Sequence, residues 1–314
     1  MMESAQDKVT GLIVEAEQLW QIENVDQERY ICRGCGIKVT PASYKPTNKP
    51  RPYFAAKLGH YDNCDVEGEE KLVKRGQSER LTHPLNGFPA SYPSRLVLLD
   101  DREIVDAGAS GVAGTKTSVQ GSHGSTGTVP SHPRRRSANT IRPICRAFIN
   151  LPYDRDLPLE IPGVNGTDFQ SVFKRLRSNG LQRYPGTHIF YAPIRWSQPI
   201  ETDEFLEVLL DAGEREPGGR LIPEKAHRLR IDWHDWSEFK RRSVRNEMAV
   251  GKQEAIEARK NNKKINGWVF FLGQQDPDDI SLFQVSDHRL VCCLHGEVIY
   301  PDLAKNDKAL TTGR

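Results

Sequence analysis

The chain has 314 residues, no long apolar run and only 8% aromatic side chains. No stretch approaches the roughly 18 apolar residues of a membrane span. The opening Met1-Met2-Glu3-Ser4-Ala5-Gln6-Asp7 is polar and acidic and lacks a signal-peptide core. Secretion, membrane insertion and a membrane partner are therefore not expected, and the expected compartment is the cytoplasm. Charge of one sign is also lacking: 44 basic and 42 acidic side chains leave a net +2. Residues 1–100 are net −1, residues 101–140 net +2, and the remainder net +1. With no domain-wide basic field, any contact with nucleic acid must come from a local stripe. Catalytic signatures are missing too: there is no Walker P-loop, no H-E-x-x-H and no G-x-S-x-G.

Cysteine is sparse, with six in all. Cys32, Cys35 and Cys64 gather near the N-terminus, whereas Cys145 and Cys292-Cys293 lie far away. A disulfide-stapled domain would crowd more of them into fewer residues. In a reducing compartment, clustered cysteines read as metal ligands.

What is present is a globular composition on the polar side, 37% hydrophobic and 27% charged. The length suits two domains. Gly108 to Ser137 is rich in Gly, Ser and Thr and contains no Phe, Tyr or Trp. Such a segment cannot bury enough apolar surface to offset its ordering entropy, so it reads as a flexible linker. Arg134, Arg135 and Arg136 end it, either as a solvated linker end or as a phosphate-contacting arm. The expected division is a zinc-ribbon domain over 1–100, a linker over 101–140, a β-rich domain over 141–301 and a frayed tail over 302–314.

In the front part, residues 9–16 and 29–39 look like short strands, and Leu96 to Leu99 is a further apolar run. In the rear part, residues 143–150 (PICRAFIN) read as a strand. Thr167 and Gln170 form a capping box that should open a helix running to about Ser178. Strands are expected at 188–194, 205–210 and 227–233. Asp235 and Glu238 form a second box, opening a long helix over about 236–260. Strands over 267–273 and 282–294 follow, the latter broken near Ser286-Asp287. After residue 186 the order is three strands, a helix and two strands. A five-stranded OB barrel has that order. The expected class is α+β, with the ribbon in front and an OB-like barrel carrying one long helix behind.

The strongest chemical signal is Cys32-Arg33-Gly34-Cys35 followed by His60-Tyr61-Asp62-Asn63-Cys64. Zinc takes four tetrahedral ligands, usually Cys thiolate and His nitrogen. A C-x-x-C turn can present two sulfurs to one ion, and His60 and Cys64 can complete the set from one short turn. With four positions filled, none remains for a catalytic water, so a zinc here would be structural. A redox C-x-x-C is the alternative, but it lacks the surrounding βαβ pattern and leaves His60 and Cys64 unexplained.

The stretch Arg29 to Val39, with Arg51 to Lys57 and His60 to Cys64, resembles the N-terminal zinc-ribbon segment of the competence protein CoiA family. The resemblance covers residues 9–68. This chain has Tyr53 and Ala56 around Phe54-Ala55, where the family commonly has histidines. The resemblance implies a following nuclease-like domain of the PD-(D/E)xK type, hence DNA handling in a bacterial or mobile-element setting. Such a nuclease needs an Asp and a Glu-x-Lys on adjacent strands to hold Mg²⁺ and steady the attacking water. The one textual match is Glu238-Phe239-Lys240, with Asp211 or Asp232 upstream. Glu238 already serves a helix cap, and on a helix Glu238 and Lys240 would point about 200° apart. His234 beside Asp235 is either an acid/base pair or a surface histidine in a helix-entry turn.

Four of the five tryptophans, Trp196, Trp233, Trp236 and Trp268, fall in the rear part. Alternation over 267–272 sends Trp268 and Phe270 to one face and Val269 and Phe271 to the other, so both faces are apolar. One face packs the core. The other either stacks bases or packs beneath the helix. The long helix and its exit, 236–264, carry net +5, and Lys240 to Arg245 holds four cations and no anion. That run suits a phosphate-tracking patch, or a solvated face with partial ion pairs. Glu247 has no cation at helical pairing distance.

The sequence therefore predicts a non-catalytic, zinc-containing protein that binds nucleic acid, single-stranded DNA by preference. Phosphate contacts are expected from Lys240, Arg241, Arg242 and Arg245, and base stacking from Trp196 or Trp268. The alternatives are a Mg²⁺-dependent nuclease and a protein–protein adaptor.

Overall fold

The computed structural model describes residues 2–98, except 46, 47, 49, 63, 83–87, 89 and 90, together with 135–262 and 264–301. Most of the expected linker and the expected tail lie outside the described residues. No helix among the described residues is long and apolar enough to cross a membrane.

The front module is built from short strands. β1 (Ser4–Asp7) pairs antiparallel with β2 (Ile13–Glu15) on one side and β3 (Tyr30–Ile31) on the other. Asp7 turns the β1–β2 corner, its carboxylate accepting the N–H groups of Val9 (2.8 Å) and Thr10 (3.3 Å). A 3-10 helix, Ala16–Gln21, follows β2. β4 (Thr40–Ala42) and β5 (Tyr53–Ala55) form a second antiparallel pair, and Met2 bridges to Phe54. The core is small: Ala5, Leu19, Tyr30, Val39 and Phe54 close around Cys32 and Cys64. Small cores of this kind are where domains often use metals. α1 (Asp65–Gly76) leads away from this module.

β6 (Tyr92–Leu96) pairs in parallel with β7 (Arg135–Ala138), so Arg135 and Arg136 lie in a strand and not at a free linker end. Leu81, Phe88, Tyr92 and Leu96 belong to the same apolar cluster as the rear sheet, so the packing does not divide at residue 100.

Two expected elements change type. The segment PICRAFIN is a helix, α2 (Arg142–Asn150), and not a strand. Pro143 sits in the first turn, where its missing N–H is not needed. Ile141, Ile144, Cys145 and Phe148 recur at helical spacing and are all buried. The box at Thr167 is in fact capped by Asp168, which accepts the Ser171 N–H at 2.7 Å. Its helix, α3 (Phe169–Val172), lasts one turn before the chain extends into β8 (Phe173–Arg175). Parallel pairing of β8 with the next strand, β9 (His188–Pro193), takes residues 173–175 away from the helix.

The rest of the chain forms one large sheet. Its further strands are β10 (Ile200–Glu201), β11 (Phe205–Arg215), β12 (Leu221–Asp232), β13 (Asn266–Gln275), β14 (Leu282–Val285) and β15 (Val291–Gly296). The order is β10-β11-β12-β14-β13-β9-β8, with β15 also paired to β13. The β12–β14 and β8–β9 pairs are parallel and the others antiparallel. α4 (Glu238–Asn261) joins β12 to β13, with Ser237 as its N-cap instead of Asp235.

β13 is buried on both faces. Trp268, Phe270 and Leu272 enter one core with Phe148, Phe173 and Tyr191. Val269 and Phe271 enter the other with Phe190, Leu229, Trp233 and Phe283. The period-2 alternation read from the sequence thus splits the protein into two cores.

The sheet is not closed by continuous ladders. β9 and β11 meet at a single bridge, Ile194 to Leu210, with the Arg195 N–H donating to the Leu209 carbonyl at 3.1 Å. β10 pairs with Leu206 and Glu207 further along β11.

α4 packs on β15 at close range. A methyl group at Gly251 would come within 2.7 Å of the Cys293 Cβ, so only glycine fits there.

Candidate metal centre and candidate nucleic-acid interface

The knuckle after β3 is held by backbone hydrogen bonds. The Cys32 N–H donates to the Ile37 carbonyl (2.7 Å) and the Gly36 N–H to the Cys32 carbonyl (2.9 Å). Gly36 has φ +73°, the left-handed region that glycine enters without strain. A methyl at Gly34 would sit 3.1 Å from the Cys64 sulfur, so that position is tight as well. Cys64 caps α1, and its N–H turns back to the Tyr61 carbonyl at 3.2 Å. That turn brings His60 and Cys64 onto the knuckle.

The four side chains converge. Cys32 Sγ lies 3.6 Å from Cys64 Sγ, and His60 Nδ1 lies 3.4 Å from Cys64 Sγ and 3.5 Å from Cys35 Sγ. All four donor atoms fall within 4.8 Å of one another and could hold a metal ion. Cys32 and Cys64 are buried, and Cys35 and His60 are half-buried. Burial pushes the Cys32 thiol up to about 11. At Cys35 burial acts the same way, but the Ile37 N–H and His60 outweigh it and bring the thiol down to about 6. Cys35 is therefore poised to present thiolate, the form that binds metal.

The expected nucleic-acid residues do not form the patch that spacing suggested. Arg241 donates to the carbonyls of Trp233 (3.1 Å) and His234 (2.9 Å). Arg242 donates to the Trp20 carbonyl of the front module (3.2 Å) and lies over the Phe239 ring. Arg245 pairs with Glu201 and Glu238, both at 2.7 Å. The run without an anion in sequence is thus supplied with anions and carbonyls by the fold. Lys240 is half-buried on the first turn of α4. Trp268 is 3% exposed and its indole N–H donates to the Gly296 carbonyl (2.9 Å), so it offers no face to a base. Trp196 is half-buried against the second core and leans on Gly267.

The nuclease triplet fares similarly. Glu238 opens α4 and is ion-paired with Arg245, and Asp211 is paired with Arg215 at 2.7 Å. His234 and Asp235 lie 2.7 Å apart, but both are well exposed.

Two features escaped the sequence reading. The first is a buried charge network between the front module and α4. Arg51 contacts Glu247 (2.6 Å) and Glu254 (2.8 Å), and Arg142 contacts Glu247 and lies 2.8 Å from Glu17. Glu247, which lacked a helical partner, also accepts the Cys293 N–H at 2.6 Å. Burial opposes ionisation of Glu247, but Arg142 and Arg51 hold it below the usual carboxylate range. Glu254 is likewise held down to about 2, where His295 and Arg51 override the effect of burial. Glu17 goes the other way, raised by burial despite Arg142 and Arg51. No local pattern could have revealed partners 196 residues apart.

The second is an acid-free stretch. From Phe169 to Ile200 the sequence holds no Asp or Glu but carries Lys174, Arg175, Arg177, Arg183 and Arg195. A windowed charge count would have found it.

Comparison with protein-family models, with curated proteins and with solved structures gives no match for this chain.

Proposed function

We propose that this protein is a non-catalytic, zinc-stabilised nucleic-acid-binding protein that prefers single strands. The observation that carries the reading is the strand path of the rear sheet. Starting at β9, it runs to β11 through the single bridge, then to β12, to β14 in parallel, to β13 and back to β9. In chain order the long helix lies between the third and fourth of these strands, β12 and β13. We read this as an OB-like barrel left open at one seam, an architecture suited to oligonucleotides.

The front site supports zinc as the ion. Bonds of about 2.3 Å to sulfur and about 2.0 Å to nitrogen give tetrahedral edges of about 3.5–3.8 Å. Three of the six donor separations, 3.4–3.6 Å, fit those edges, and all six lie within 4.8 Å. With three thiols and an imidazole occupying every position, the ion would hold the fold and leave no place for a reacting water. The likeness of residues 9–68 to the CoiA ribbon is consistent with DNA as the partner. Glu238 and Lys240 lie on α4 and not on a strand beside Asp211 or Asp232, which counts against the nuclease alternative.

Fluorescence anisotropy with labelled single-stranded and duplex oligonucleotides at about 50 and about 200 mM salt tests the reading. We expect single-strand binding that weakens at least tenfold across that range. Absence of binding at the lower salt, or binding indifferent to salt, would overturn it.

A further inference from the structure

β8 is the last strand of the large sheet. Lys174 and Arg175 therefore lie on an edge strand, while β9 carries the later part of the acid-free stretch into the sheet. Lys174, Arg175, Arg177 and Arg183 are all exposed. None of the four pairs with a carboxylate among the described residues. Arg175 lies over two rings, Trp268 at 5.3 Å and Tyr300 at 5.7 Å.

Beside them sits Arg155, 9% exposed. Its guanidinium lies 3.9 Å from the centre of the Phe148 ring and 5.2 Å from that of Tyr300. It donates to the Phe148 carbonyl at 3.2 and 3.3 Å and has no carboxylate partner among the described residues. The adjacent acids are committed elsewhere. Asp154 accepts the N–H groups of Leu81 (2.8 Å) and Thr82 (2.9 Å), and Asp156 pairs with Arg80. A buried cation without an anion is costly, and an incoming anion offsets that cost. Tyr300 is 52% exposed, with its hydroxyl bonded to that of Tyr191. One aromatic ring is thus flanked by two guanidiniums and half open to solvent.

We propose that Arg155, Arg175 and Tyr300, with Lys174 and Arg177 along β8, form the docking edge for a single-stranded nucleic acid. Phosphates follow the cations and a base stacks on Tyr300. This assignment rests on the single-strand-binding reading above and replaces the surface expected on α4. An acidic peptide could satisfy the arginines but makes no use of the open ring. β8 is also only three residues long, too short to template an added peptide strand.

The test is anisotropy of the full chain with a labelled oligothymidylate of about 20 nucleotides, against three variants. Arg175→Glu/Arg177→Glu should bind at least tenfold more weakly, with a salt slope shallower by about 1.4 (about 0.7 per lost phosphate contact). Tyr300→Ala should bind about fivefold or more weakly with the slope kept, and Tyr300→Phe should restore most of the loss. Lys252→Glu/Arg259→Glu, on exposed positions of α4, should bind like the parent. Unchanged binding by the β8 and Tyr300 variants, with loss in the α4 variant, would overturn the assignment and leave the broader reading standing. A parent chain that binds no oligonucleotide would overturn both. Competition by polyglutamate as strong as by oligothymidylate would overturn the choice of nucleic acid.

Discussion

The front module and the rear sheet solve the same problem by different means. The rear has two cores on either side of β13, with stacked and edge-on rings such as Phe148–Phe173 (4.0 Å) and Phe190–Phe283 (4.8 Å). The front has one small core, short strands and four metal-ligand side chains at its centre. Burial of aromatic surface stabilises the rear without outside help. On the proposed reading the front depends on an ion, because metal binding and folding are one event in a module that small. The two are then joined by charge, through Arg51, Arg142, Glu17, Glu247 and Glu254.

Removal of the ion should separate the two most sharply. Cys32→Ser, or a strong chelator, should unfold the front module while the rear keeps its cooperative transition. Hydrogen exchange resolved along the chain is the measurement. We expect protection to vanish over residues 2–66 and to persist in β9 and β13. Uniform loss of protection would mean that the rear has no independent stability.

The charge network gives the next effect. Arg51→Ala leaves buried Glu247 and half-buried Glu254 with one partner fewer, and breaking a buried pair costs about 3–5 kcal/mol. Chemical denaturation should show this cost as a front transition shifted to lower denaturant, with the rear transition less affected. Equal stability of the variant and the parent would show that the two modules are not coupled through Arg51.

The smallest effect belongs to the rear alone. His227 is fully buried, with its ring between Tyr184 (6.0 Å) and Phe283 (5.4 Å). Burial brings it down from 6.5 to about 4, against a weaker opposing contact with the Ser281 backbone. Between pH 4 and 6.5 the unfolded chain binds the proton and the folded one does not. Stability from this site is therefore complete above about pH 6.5 and declines as pH falls through the window, by up to about 3 kcal/mol. Replacing His227 by Phe should flatten that acid limb in thermal melts of the rear. An unchanged limb would assign the titration elsewhere.

The same comparison explains what the sequence could reveal. Cys32, Cys35, His60 and Cys64 were legible because coordination demands particular side chains at short spacing. The alternation in 267–272 was legible because strand geometry enforces it on both faces. The helical PICRAFIN was misread because a mostly apolar segment of eight residues fits a buried strand and a short helix alike, and only its packing partners decide. The partners of Arg245 and Glu247 were not legible because Glu201 and Arg51 come from other elements. Tertiary ion pairs leave no local trace. The stacking role for Trp268 failed for a related reason, since burial depends on what covers β13.

Metal content tests the central claim most directly. Elemental analysis of the purified full-length protein, paired with native mass spectrometry, should find one zinc per chain. The ion should be lost in Cys64→Ser, and Cys32 and Cys35 should resist alkylation until it is removed. A natively folded chain free of transition metal, with those thiols open to alkylation, would contradict the account.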